Sequence, residues 1–186
     1  SFVQYPEMKG DLETDPGIPE HWIDLFASAT RSDFLEKLEQ LKVEDGIHKG
    51  LFETEKSVLI EIRNQLISGN IFAILMEPIQ CEGGDRYSSK RFHNALANMA
   101  RDFQVPLIYD EVQTGFGLGG DFFWYQLFDL QDPAGEEIYP DYVVCAKKSQ
   151  VGMVLSHTKI PFDESYGVHS FIRGCLQGWM VDQLQE

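Results

Sequence analysis

The chain has 186 residues, a formal net charge of −15 and 43% hydrophobic residues, among them 13 Phe and 3 Trp. This composition is typical of one globular domain, or a large part of one, with a substantial core. The acidic excess argues against a nucleic-acid or anionic-membrane partner, which proteins bind mainly through Lys and Arg. No apolar run approaches the roughly 20 residues that span a bilayer, so no membrane partner is expected.

The residue types that bind metals are scattered along the chain. Cys81, Cys145 and Cys175 show no metal-like spacing, and the five histidines form no HxxxH pair. We therefore expect no metal site. The sequence shows no secretory signal, which favours reduced thiols and a cytoplasmic location.

The first third of the chain predicts an extended segment followed by two helices. Residues 1–30 contain several prolines and little periodicity. A helix is expected from Asp33, with Glu36 in a variant capping box. A second helix is expected from about 54 to 68, closed by Gly69 and Asn70. Its buried face would comprise Val58, Leu59, Ile62 and Leu66.

The middle of the chain predicts a strand–helix–strand unit. The uninterrupted apolar run "IFAILMEPI" (71–79) has strand length and is typical of a parallel strand covered on both faces. The segment "SSKRFHNALANMARDFQ" follows with helical spacing and Ser88 or Ser89 as N-cap. It leads into the short strand "PLIYD". Such a unit makes the two strands parallel.

The last predicted elements follow a glycine-rich loop. The stretch "DFFWYQLFDL" is typical of a short aromatic helix, and "DYVVCA" predicts a third strand that runs into Lys147. Together the elements predict an α/β fold, a mainly parallel sheet with helices on both faces. The carboxyl ends of parallel strands share one edge, where ligands bind in open α/β sheets. Glu77, Asp110 and Lys147 would therefore converge on one crevice.

An amine and an acid at neighbouring strand ends have two interpretations. Asp110 and Lys147 are either a plain ion pair or a pyridoxal phosphate (PLP) site. In a PLP site a lysine holds the cofactor as a Schiff base, and an acid pairs with the pyridinium nitrogen. The protonated ring nitrogen makes the ring a better electron sink.

Three motifs carry a resemblance to a known family. The segments "MEPIQCEGGD" (76–85), "LIYDEVQTGFGLGG" (107–120) and "PDYVVCAKKSQVG" (140–152) resemble, in order and spacing, signatures of class III PLP-dependent aminotransferases of fold type I. Within that class the motif sequences are most similar to those of lysine 6-aminotransferases, and second most similar to those of 4-aminobutyrate aminotransferases. The resemblance covers residues 50–160 best. It implies that 1–186 is a partial PLP-binding large domain, with an extended segment at 1–30 and a later segment starting at 161–186.

The resemblance implies a role for each motif residue. Lys147 would bear the cofactor, with Lys148 as the competing lysine, and Asp110 would pair with the pyridinium nitrogen. Val112 would pack against the ring, and Gln113 would hydrogen-bond the ring hydroxyl oxygen. Glu77 resembles the family's gate residue, which pairs with an arginine in one half-reaction, although an acid capping the turn before Pro78 is the structural alternative.

The resemblance also implies a reaction and partners. The whole enzyme would move an amino group, terminal in its donor, from an amino acid or amine to 2-oxoglutarate through PLP, as a homodimer. One alternative is a non-catalytic, truncated or degenerate piece of such an enzyme. Another is a nucleotide-binding module built on the glycines of 115–120, although the flanking acids would repel an anion. At 174–176 the sequence has Gly-Cys-Leu where relatives have a threonine, which puts a contact to the cofactor phosphate across the dimer in doubt.

Overall fold

A computed structural model describes residues 3, 5–7, 49–132 and 134–157. The helix predicted from Asp33, most of the leading segment and the departure at 174–176 lie outside these residues. None of the described helices combines the length and the hydropathy that a bilayer crossing requires.

The described elements form a mainly parallel sheet with two α-helices. The four-stranded sheet has the order β1-β4-β5-β6, in which β1, β4 and β5 are parallel and β6 is antiparallel to β5. Strands β2 and β3 form a separate antiparallel pair. The predicted parallel α/β architecture is confirmed, whereas β6 and the β2–β3 pair were not predicted. In chain order the elements are α1 (Lys49–Ile67), β1 (Ile74–Met76), β2 (Ile79–Gln80), β3 (Arg86–Tyr87), α2 (Lys90–Phe103), β4 (Leu107–Asp110), a 3-10 helix (Trp124–Phe128), β5 (Tyr142–Cys145), a 3-10 turn (Lys147–Ser149) and β6 (Met153–Ser156).

Helix α1 confirms the second predicted helix, although it begins earlier, at Lys49. It ends where Gly69 takes a left-handed φ of 72° and donates its N–H to the Leu66 carbonyl at 3.0 Å. Glycine adopts this conformation without a steric penalty, which explains why the helix stops there. Val58, Leu59 and Leu66 are buried as predicted, whereas Ile62 is only half-buried.

Helix α2 connects β1 to β4 and is the centre of the core. Ser89 is its N-cap, because the Ser89 Oγ accepts the Phe92 N–H at 3.2 Å. The same hydroxyl donates to Glu55 of α1, which also forms a buried ion pair with Arg91. These polar contacts attach α1 to the start of α2. The two helices and the sheet residues Leu107 and Tyr109 bury their apolar side chains in one cluster.

Strand β1 differs from its prediction in length and in burial. It spans three residues rather than most of 71–79, and Leu75 is 65% exposed. Successive side chains of a strand point to opposite faces, so Met76 and Leu75 lie on opposite sides of the sheet. Within the described residues β1 is the edge strand and pairs only with β4. The expectation that both faces of this strand are covered is therefore wrong for Leu75.

Candidate active site at the carboxyl edge of the sheet

The three parallel strands bring their carboxyl ends to one edge. The register pairs Met76 with Tyr109 and Asp110 with Val144. Glu77, Asp110 and Lys147 therefore meet at this edge, each at or just beyond the end of its own strand. Burial and then repulsion by Asp110 raise the pKa of the Glu77 carboxyl, while attraction by Lys147 lowers it. The predicted convergence of these three residues at one edge of the sheet is observed.

Lys147 occupies an unusual backbone position at this edge. Its φ is 50°, in the left-handed region that is uncommon for residues with a side chain, and it begins the 3-10 turn after β5. Its side chain is half-exposed, and its Nζ donates to the Gln113 Oε1. The Glu82 Oε1 lies 3.9 Å from the same nitrogen. In the described part of the chain Lys147 and Asp110 form no ion pair, so the plain ion-pair interpretation is not realised.

Asp110 is half-buried at this edge of the sheet. Its Oδ1 accepts the Val112 N–H at 3.1 Å, which is an Asx turn that fixes the chain as it leaves β4. The other oxygen accepts no hydrogen bond from the described residues. A half-buried carboxylate with a remaining acceptor suits a ligand N–H, because a charge-assisted hydrogen bond is stronger there than in water.

Lys148 points to a different environment from Lys147. Its Nζ donates to the Phe116 carbonyl in the glycine loop at 3.3 Å. The ammonium of Lys147 instead contacts the side chain of Gln113, three residues after Asp110. The two adjacent lysines therefore contact different parts of the loop, and of the two only Lys147 contacts a predicted site residue.

Glu111 fixes the loop that follows Asp110. It is fully buried and accepts hydrogen bonds from the Thr114 hydroxyl and from the Tyr125 N–H, the latter at 2.7 Å. Burial raises the pKa of its carboxyl, and these donors offset part of that rise. At Gly115 a Cβ would lie 2.9 Å from the Glu111 carbonyl oxygen, so a larger residue would displace the loop. Glycine at position 115 therefore allows the loop to pack closely against the Glu111 backbone.

The loop does not have the geometry of a dinucleotide-binding turn. Such a turn opens an α-helix whose N-terminus meets the pyrophosphate. Here the loop leads into the 3-10 helix Trp124–Phe128, which has five residues. The buried Glu111 carboxylate accepts the N–H of Tyr125 in that helix, where an anion would need a donor.

Tyr5 and Cys81 also lie near this edge, and neither was predicted from the sequence as a site residue. The Tyr5 hydroxyl donates to the Pro78 carbonyl at 2.9 Å, a contact between residues 73 positions apart. Cys81 is half-buried, and burial followed by repulsion from Glu77 raises the pKa of its thiol. No local signal indicates Tyr5, because its partner is set by tertiary packing. The motif that contains Cys81 was recognised, but not the β2–β3 pair that folds it back.

The sequence matches the family "Aminotransferase class-III" over residues 27–163, which is more than half of the chain. The chain belongs to this family.

Two curated relatives in the class-III family show how much of an aminotransferase the chain represents. It is 35% identical over 106 residues to a 4-aminobutyrate aminotransferase of Mycosarcoma maydis, covering 53% of this chain and 20% of that protein. It is 34% identical over 118 residues to an L-lysine-epsilon aminotransferase of Mycobacterium bovis, covering 62% and 24%. The chain therefore spans about a quarter or less of the length of these relatives.

Solved structures give the same relationship. The lysine aminotransferase from M. tuberculosis superposes with a TM-score of 0.56 at 28% identity, covering 83% of this chain and 26% of that one. An ornithine aminotransferase from Plasmodium yoelii has a TM-score of 0.53 at 21% identity, covering 66% and 34%, and shows the fold alone. These matches confirm the predicted family and its partial PLP-transferase fold.

The side chains at this edge fit the ring of PLP, the cofactor of class-III aminotransferases. The edge offers an amine on Lys147, an amide on Gln113 and a carboxylate oxygen on Asp110 without a described donor. These are the groups that a carbonyl carbon, a ring hydroxyl and a ring N–H require. The described residues contain no cluster of three or more His, Cys, Asp or Glu side chains suited to a metal ion.

Proposed function

We propose that this chain is the central part of the PLP-binding large domain of an aminotransferase that moves a terminal amino group to 2-oxoglutarate. The observation that carries the proposal is the meeting of Glu77, Asp110 and Lys147 at one sheet edge, in a chain of the class-III family. The relatives named for lysine and 4-aminobutyrate support a donor with a terminal amine. The homodimer, the cytoplasmic location and the domain bounds 1–186 stay predictions.

Lys147 is the proposed catalytic residue. Its side chain is half-exposed at the sheet edge, and its Nζ would attach covalently to the cofactor. As a free amine, the Nζ would act as a general base that accepts a proton from the substrate carbon and returns it. The Gln113 amide holds this nitrogen in place. Bound PLP would supply an electron sink for the negative charge at that carbon.

Asp110, Gln113 and Val112 would hold the ring. The oxygen of Asp110 that accepts no described hydrogen bond would accept the ring N–H, and its negative charge favours the protonated ring. Gln113 would exchange its contact with Lys147 for one with the ring hydroxyl oxygen. Val112 is half-buried directly after the Asp110 turn and would pack against the ring face.

Glu77 would take part in substrate recognition. It lies at the end of β1, and its carboxyl is coupled electrostatically to both Asp110 and Lys147. A carboxylate in this place attracts a substrate ammonium group and repels a substrate carboxylate, unless a cation neutralises it. Such a group discriminates between an amino donor and a dicarboxylate acceptor.

A pair of lysine variants tests the assignment. Purified chain with added PLP should develop an absorption band near the visible edge that borohydride removes. Lys147→Ala should lose this band, and the matched variant Lys148→Ala should keep it, because Lys148 contacts the Phe116 carbonyl instead. A band that persists in Lys147→Ala contradicts the role of Lys147. If the unmodified chain gives no band, the non-catalytic alternative is favoured.

A further inference from the structure

Four side chains form a continuous chain of hydrogen bonds beside the site, buried at His93 and partly buried at Tyr5. The Tyr109 hydroxyl lies 2.8 Å from the His93 Nδ1, and the His93 Nε2 lies 2.7 Å from the Ser88 Oγ. The Ser88 hydroxyl donates to the Tyr5 oxygen at 3.0 Å, and the Tyr5 hydroxyl donates to the Pro78 carbonyl at 2.9 Å. We refer to these contacts as the Tyr109–Pro78 relay.

The direction of every donor in the relay follows from its last member. The Pro78 carbonyl can only accept a hydrogen bond, so the Tyr5 hydroxyl donates its hydrogen to Pro78. The Tyr5 oxygen must then accept the hydrogen bond from Ser88. Ser88 then has no proton left for His93, so the His93 Nε2 must carry the hydrogen. The His93 Nδ1 accepts from Tyr109. The four contacts need four protons, and neutral side chains supply that number in this arrangement only.

The surroundings of His93 favour its neutral form. The ring is fully buried and stacks on Phe128 with centroids 3.7 Å apart and an interplanar angle of 9°. Burial lowers the pKa of His93 to about 3. A second ring proton would point at the Tyr109 oxygen and displace the hydrogen that Tyr109 donates to the His93 Nδ1. The fixed tautomer is therefore part of the folded structure.

The two ends of the relay adjoin the two acids of the site. Tyr109 precedes Asp110, and Pro78 follows Glu77. Backbone pairing between β1 and β4 ends at the register of Met76 with Tyr109, so no described ladder bond holds Glu77 to β4. Glu77 and Asp110 carry like charge and repel each other at this point.

We propose that the Tyr109–Pro78 relay holds the Glu77–Pro78 turn against β4, which makes Tyr5 and His93 positioning residues for Glu77. The inference rests on the proposed function for the importance of Glu77, but its physical content does not need the cofactor. The segment that contains Tyr5 thereby helps to define the substrate side of the site.

The first experiment observes the tautomer of His93 in the full unmodified chain. Nitrogen-15 NMR of the imidazole at pH 7 should show a neutral ring with the hydrogen on Nε2. A ring with the hydrogen on Nδ1, or a protonated ring at this pH, overturns the inference. This measurement is independent of cofactor binding, so it succeeds or fails separately from the proposed function.

The second experiment measures the position of the Glu77 carboxyl through its own titration. Tyr5→Phe removes the last donor and keeps the ring that fills the space. The freed turn should move Glu77 away from Asp110, and the Glu77 pKa measured by carbon-13 NMR should shift down towards its ordinary value. The control is Tyr139→Phe, which removes an exposed hydroxyl bonded to Glu137 and should leave Glu77 unchanged. A Glu77 pKa that is the same in both variants contradicts the inference. If Tyr5→Phe does not fold, the tautomer of the unmodified chain decides.

Discussion

Acidification should destabilise the protein through His93. The unfolded chain binds a proton at an ordinary histidine pKa of about 6.5, whereas burial keeps the folded His93 neutral to about 3. Between these values the unfolded state binds more protons, so the free energy of unfolding falls as the pH falls. The contribution is fully present above pH 6.5 and is lost progressively towards pH 3.

The size of this effect follows from proton linkage. A single proton taken up only by the unfolded state changes the free energy of unfolding by about 1.4 kcal/mol per pH unit. This slope is reached only well below pH 6.5, so between pH 6.5 and pH 4.5 protonation of His93 in the unfolded state should lower the free energy of unfolding by about 2 kcal/mol. The buried Glu111, whose pKa is raised, acts in the opposite direction over part of this range, so the total slope does not isolate His93.

A matched variant isolates the histidine. His93→Gln supplies a donor and an acceptor but does not titrate in this range. Urea unfolding of both proteins should be measured at intervals from pH 7.5 to pH 4.5. The stability difference between them should be largest at the higher pH and should shrink as the pH falls. A difference that is constant with pH would show that His93 protonates equally in both states and would refute the relay as described.

Three substitutions at the site give further expected outcomes. Glu111→Ala leaves the Thr114 hydroxyl and the Tyr125 N–H without their acceptor and should lower the free energy of unfolding by about 3 kcal/mol or more. Glu111→Gln keeps one acceptor, so its loss of unfolding free energy in urea titrations should be clearly smaller. Equal losses in the two variants would contradict the role of these hydrogen bonds. Asp110→Asn should retain PLP but reduce kcat severely, because the charge that favours a protonated ring is gone; normal kcat would exclude the role. Lys147→Gly should be about 1 kcal/mol more stable than Lys147→Ala in thermal unfolding, because glycine adopts the φ of 50° without strain. A glycine variant that is less stable than the alanine variant would show that the backbone at this position is not strained.

The sequence predicted the elements whose stability is local. Helix α2 and its cap at Ser89 follow from apolar spacing and a capping hydroxyl, and the end of α1 at Gly69 follows from glycine's freedom at positive φ. The parallel order of β1, β4 and β5 follows from the helical crossover and from the loop connections. The convergence of the strand ends is a consequence of that order.

The sequence could not predict features that depend on distant partners. Strand β6 is a strand because it pairs with β5, and its apolar residues Val154 and Leu155 are both largely exposed. The contact of Tyr5 with Pro78 joins segments 73 positions apart. His93 sits on the buried face of an amphipathic helix, where an apolar residue is expected. A polar ring is stable at this position because Tyr109 and Ser88 hydrogen-bond both of its nitrogens, and neither contact can be read from the sequence.

Mass spectrometry can show which lysine attaches covalently to the cofactor. The purified chain is incubated with PLP, reduced with borohydride, digested and analysed by mass spectrometry. We expect the added mass on Lys147, and we expect the Asp110→Asn variant to carry it as well. Labelling confined to Lys148 or to another lysine, or no stable label at all, would contradict this expectation.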